Sequence, residues 1–111
     1  MANYSVDSSN YNVSVQFDSD ELEDIRNHKY DFVECLFWAL DWVDTVPLGE
    51  QFVSGYRNCV LLYSYYSGKV FMLDFADAED ILMGGKSLTL IAREPSEYNL
   101  TNDEVEEMLN G

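Results

Sequence analysis

A small α+β domain, with a mainly antiparallel four-stranded sheet packed on a long helix, is what this sequence predicts. Three observations carry that expectation. Residues 10–17 alternate polar and apolar side chains, residues 22–43 repeat apolar side chains every three or four positions, and residues 59–73 hold two β-rich runs joined by Ser67-Gly68. In chain order the elements read β-α-β-β-α-β-α, the split βαβ (ferredoxin-like) order with an added C-terminal helix. A simpler meander packed on the long helix is the competing arrangement. With 111 residues, 47% hydrophobic and 14% aromatic, the chain can build one packed core, so a single acidic domain over 1–111 is expected, with no metal or disulfide needed to hold it.

Each element follows from local chemistry. Tyr11, Val13, Val15 and Phe17 alternate with Asn10, Asn12, Ser14 and Gln16, the pattern of a half-buried strand. Asp18 or Ser19 then caps a helix whose first turns carry Asp20, Glu21, Glu23 and Asp24, where the positive end of the helix dipole favours them. Its apolar positions are Leu22, Ile25, Phe32, Leu36, Leu40 and Val43; it ends before Pro47, and a kink is allowed near Asn27-His28. A loop follows around Pro47-Leu48-Gly49-Glu50.

The segment Tyr56–Phe75 reads as a hairpin with a two-residue turn at Ser67-Gly68, which sets Tyr66 opposite Lys69. One face then collects Val60, Leu62, Ser64, Phe71, Leu73 and Phe75; the other collects Leu61, Tyr63, Tyr65, Val70 and Met72. Ala76–Met83 forms a short helix capped by Asp77 and closed by Gly84-Gly85. Ser87–Arg93 forms a strand and Pro95–Leu100 a loop, and Thr101-Asn102-Asp103-Glu104 is a capping box opening a last acidic helix.

Charge narrows the function. Asp and Glu number 21 against 6 Lys and Arg, a net charge of −15, which favours solubility and attraction to basic surfaces and disfavours direct binding of nucleic acid or an anionic membrane. The N-terminus lacks a basic and apolar leader, no apolar run reaches the roughly 18 residues of a membrane span, and the two cysteines lack C-x-x-C spacing, so a cytoplasmic protein is expected. The glycosylation sequons at Asn12 and Asn99 carry no weight without a secretory signal.

Catalytic and metal chemistry find little support. The single His28 lies seven residues from Cys35, about 10 Å along a helix, too far to activate its thiol. One histidine and two separated cysteines do not suggest zinc. The acid-rich Asp74–Asp80 stretch lacks the central glycine of a calcium loop and has Gly85 where the bidentate glutamate would fall. Gly85-Lys86-Ser87 ends like a phosphate loop, but Asp80 stands at the first glycine and a strand follows. No pair of carboxylates is singled out for glycoside chemistry. No enzyme activity, cofactor or metal is expected.

What stands out is where the acids lie. Residues 51–73 contain none, so apart from Asp7 every carboxylate falls within 18–50 or 74–107, on the helices and loops. On a helical wheel of residues 31–44, Phe32, Val33, Cys35, Leu36, Ala39, Leu40, Trp42 and Val43 fill one half. Asp31, Glu34, Asp41 and Asp44 fill the other, with Phe37 and Trp38 among them. Trp42 is thus expected in the core. Glu23 and Asp20 extend the acidic stripe upstream. The expected partner-binding residues are Glu23, Asp31, Glu34, Phe37, Trp38, Asp41 and Asp44, with Asp77, Glu79 and Asp80 of the short helix. Closely spaced carboxylates beside large aromatics suit the arginines and lysines of a groove that holds nucleic-acid phosphates.

The chain carries no recognisable family motif. In size, acidity and absence of catalytic residues it resembles, in general character, two groups. One is the phage-encoded inhibitors of bacterial defence nucleases, among them anti-CRISPR and anti-restriction DNA mimics. The other is the immunity proteins that neutralise basic nuclease toxins; both block a cationic site by fast, steered association. The resemblance implies a protein partner with a basic, nucleic-acid-binding surface. The alternative is a homodimeric adaptor paired through Tyr63, Tyr65 and Met72.

Overall fold

The computed structural model describes residues 3–48 and 59–110. Among the described residues it is an α+β fold with four α-helices and two three-stranded antiparallel sheets. The first sheet has the order β1-β2-β6, from β1 (Asn3–Val6), β2 (Val13–Gln16) and β6 (Leu88–Leu90). The second has the order β3-β4-β5, from β3 (Thr45–Pro47), β4 (Cys59–Ser64) and β5 (Val70–Asp74). Among the described residues one isolated bridge joins β5 to the segment after β6: Val70 and Arg93 exchange backbone bonds of 2.8 and 3.0 Å. The expected four-stranded sheet and its element order are therefore replaced. Two short strands account for the difference: β1, which pairs with β2 from Asn3↔Gln16 to Val6↔Val13, and β3, which pairs with β4 where a helix end and a loop were expected. Pro47 is tolerated because β3 lies at the sheet edge, where a missing N–H breaks no second ladder. The expected loop at Gly49-Glu50 and the start of the hairpin at Tyr56 lie outside the described residues.

The long helix is broken into α1 (Ser19–Arg26) and α2 (Phe32–Asp41). Asn27 closes α1, His28 takes a left-handed φ of 60°, and Asp31 restarts the helix by accepting the Glu34 N–H at 3.0 Å. The left-handed turn at His28, with Lys29 N–H donating to the Asp24 carbonyl at 2.9 Å, ends one helix, and the Asp31 side chain caps the next. α1 is capped in the same way by Asp18, which accepts from Glu21 at 3.0 Å. In α3 (Phe75–Met83) the cap is Asp74, accepting from Ala76 and Asp77 at 3.0 and 3.1 Å, rather than the expected Asp77. The capping box before α4 (Asn102–Asn110) forms as expected: Glu104 N–H donates to Thr101 Oγ1 at 3.1 Å, and Thr101 N–H donates to Glu104 Oε1 at 3.2 Å.

The hairpin register differs from expectation by two residues. Leu62 pairs with Phe71 and Tyr63 with Val70, and the turn spans 65–68, closed by Ser64 N–H to Lys69 O at 3.0 Å with Gly68 at φ +71°. Because side chains alternate with period two, a two-residue shift preserves both faces. Val60, Leu62, Phe71 and Leu73 join Val13, Val15, Leu88 and Leu90 of the other sheet and the buried sides of α1, α2 and α3 in the main core. Leu61 and Val70 pack with Leu48 and with Val105 of α4 in a second, smaller cluster.

On α2 the buried residues are Phe32, Leu36, Ala39 and Leu40, continued by Val43. Trp42, expected in this core, is instead 70% exposed. It stands about 100° round the helix from the middle of that stripe, at the edge of the apolar half of the wheel, where the sheet does not reach.

Candidate functional site

Four of the exposed aromatics share one groove, while Tyr11, Tyr65 and Tyr66 are exposed elsewhere. Tyr4 of β1, Tyr30 from the α1–α2 break, and Trp38 and Trp42 of α2 and its C-cap line a groove of about 430 Å³, floored by Ile25, Cys35 and Ala39 and edged by Glu21 and Asp24 of α1. Trp38 and Trp42 are one helical turn apart, so their side chains lie on the same face of the helix. Tyr30 and Trp38 are 55% and 58% exposed. Other aromatic side chains are seated ring against ring: Phe17 on Phe32, Phe37 on Phe75, Tyr63 on Tyr65 and Tyr11 on Tyr66, with centroids 5.3–6.2 Å apart. Among the described residues, no ring stacking joins the four aromatics of the groove to one another or to a further ring.

Beyond Glu21 and Asp24 at its edge, further carboxylates lie on the same two helices. Glu34, Trp38 and Asp41 follow one another at helical spacings of four and three, and all three side chains are exposed. Glu23 is exposed on α1. The Cys35 thiol on the groove floor is pushed above its usual range, first by burial and then by the negative charges of Glu21, Glu34 and Asp31. Its shift reports a negative field inside an apolar recess. Asp24 holds Lys29 at 3.4 Å, in a pair whose lysine is largely in water.

The remaining expected site residues divide. Asp31 is exposed and also serves as the α2 cap, and it shares a second, more polar cleft of about 570 Å³ with Arg26, His28 and Glu79. The Arg26 guanidinium bonds the Met83 carbonyl, tying the end of α1 to the end of α3. Asp77 and Asp80 are exposed on α3 but line neither cleft. Asp44 has left the helix: with φ 56° it turns the chain into β3, and its carbonyl accepts the Tyr65 N–H at 2.9 Å. Phe37 is half-buried against Phe75, 5.7 Å between centroids, and so contributes to packing. Of the residues proposed for self-association, Tyr63 is half-buried in the cluster beneath α4, whereas Tyr65 and Met72 are exposed.

Tyr4, Tyr30, Trp42, Glu21 and Asp24 escaped the sequence reading. Tyr4 lies in a strand too short for its alternation to register, and Tyr30 sits in a break that the helical pattern ran through. Trp42 alone carried a signal, its place at the very edge of the apolar half of the wheel. Among the described residues, no group of three or more His, Cys, Asp or Glu side chains is placed to hold a metal ion, and no helix is long and apolar enough to cross a membrane. No protein-family model, curated protein or solved structure matches the chain.

Proposed function

We propose that the protein acts by stoichiometric binding, as a non-enzymatic acidic inhibitor that occupies a basic, nucleic-acid-binding surface of a target protein, in the manner of DNA mimics directed against defence nucleases. The observation that carries this reading is the outer face of α2, where Glu34 and Asp41 stand in solvent beside the exposed Trp38, with Trp42 one turn on, in a chain of net charge −15. The carboxylates supply long-range attraction and occupy arginines and lysines that otherwise hold phosphates; the indoles supply anchoring area of the kind found at interface hot spots. An immunity protein against a nuclease toxin uses the same surface chemistry, and the partner's identity separates the two.

The test is capture of the partner from host lysate, followed by titration of the purified pair. Glu34, Asp41 and Asp44 changed together to Lys move the net charge from −15 to −9, since each reversal adds two. Affinity is expected to fall by at least about a hundredfold, roughly 2.7 kcal/mol. Raising salt from 0.1 to 1 M shortens the screening length from about 10 to about 3 Å and should weaken the wild-type complex steeply. A complex indifferent to salt and to the triple reversal refutes the proposal. The competing homodimer reading predicts instead that Tyr65→Ala dissociates a dimer visible by light scattering.

A further inference from the structure

We propose that the groove between α1, α2 and β1 takes an arginine side chain of the basic partner, its guanidinium lying against Trp38 and Trp42 and its N–H groups directed at the Asp24 carboxylate. This inference rests on the acidic-face reading above and names the point at which the partner is gripped.

Four features converge on that occupant. The groove's volume of about 430 Å³ falls within the ~300–1,000 Å³ range of small-ligand pockets, ample for one long side chain. Of the four aromatic residues that line it, Tyr30, Trp38 and Trp42 are more than half exposed and, among the described residues, stack on no other ring, and indole faces attract cations most strongly among aromatic side chains. The Asp24 carboxylate stands at its edge, and the Cys35 thiol in the groove is raised first by burial and then by the charges of Glu21, Glu34 and Asp31. A nucleobase would also stack on such rings, but its phosphate would meet a surface of net charge −15. Arginine fits better than lysine because its planar, weakly hydrated guanidinium stacks on rings while forking onto carboxylates; an ammonium keeps its water. In the existing Asp24–Lys29 pair the lysine is largely in water, so the pair gives way at little cost.

Both tryptophans of the chain line the groove, so indole fluorescence and the two indole N–H resonances report it directly. The probes are blocked hexa-arginine, hexa-lysine and hexa-citrulline peptides, citrulline being the neutral isostere of arginine, together with an oligothymidylate. Hexa-arginine is expected to shift both indole resonances and to bind at least about fivefold tighter than hexa-lysine, with hexa-citrulline silent. By calorimetry, Trp38→Ala combined with Trp42→Ala should reduce hexa-arginine affinity about tenfold or more with far-UV dichroism unchanged. Equal affinity for arginine and lysine peptides, unmoved indole resonances, or full affinity in the double variant overturns the groove assignment and leaves the acidic-face proposal standing. Arginine binding lost in the tryptophan variant but untouched by Glu34, Asp41 and Asp44 reversal overturns the acidic face and upholds the groove. Indole shifts on adding the oligothymidylate overturn both.

Discussion

Leu40 and Trp42 lie two residues apart at the end of α2, and the helical wheel assigns both to the core. The structure separates them, and the separation has a size. Leu40 is fully buried, so Leu40→Ala removes its transfer energy and leaves a cavity, about 2–5 kcal/mol in comparable cores. Trp42 is 70% exposed, so some 75 Å² of a side chain that spans roughly 250 Å² is covered. At about 25 cal/mol per Å² that area corresponds to ~2 kcal/mol at most, because the unfolded chain already shields part of it and alanine retains some contact. Trp42→Ala should therefore cost about 1 kcal/mol, well below Leu40→Ala, against the ~5–15 kcal/mol total of a typical domain. Urea unfolding followed by far-UV dichroism measures both without relying on the indole signal. Equal losses in the two variants, with unchanged m-values, would mean that Trp42 packs in the core, and the groove would lose one wall.

Three further outcomes follow from single interactions. Asp74 accepts two backbone N–H groups at the start of α3, so Asp74→Ala should cost about 1 kcal/mol by urea unfolding and Asp74→Asn, which keeps the acceptor, much less; equal effects would refute the capping role. The Cys35 and Cys59 thiols are both raised above the usual 9.0, mainly by burial and then by neighbouring carboxylates. The unfolded chain therefore releases these protons first, so their contribution to stability is complete at neutral pH and is lost as pH rises through the alkaline range. Alkylation by iodoacetamide at pH 8 should be slower in the folded protein than in urea, and a urea midpoint that climbs between pH 8 and 10 would contradict this. Gly68 closes the β4–β5 turn at φ +71°, so Gly68→Ala should destabilise by about 1 kcal/mol although an added Cβ would meet only the Tyr63 hydroxyl, at 3.9 Å; an unchanged midpoint would show that the turn adopts another form.

Pattern and local chemistry determined a good deal. The period-two alternation of Val13 and Val15 set a strand with its buried face, the apolar spacing set the inner side of α2, and Thr101 with Glu104 set the last helix start. The two faces of the hairpin survived an error in register because an even shift returns every side chain to its own side. The acidity of the helices, and the absence of acids from 51–73, needed no coordinates at all.

Tertiary structure decided the rest, for one physical reason: short strands and helix edges take their state from whatever lies beside them. β1 and β3 exist because β2 and β4 offer ladders to pair with, which four- and three-residue stretches cannot announce alone. Phe37 and Trp42 have opposite fates, one seated on Phe75 and the other in solvent, because α3 reaches one flank of α2 and β1 leaves the other open as a groove. A wheel supplies angles; only the neighbours determine how wide the buried sector is. The sequence by itself thus determined an acidic α+β chain, and the fold decided which aromatics stand in solvent.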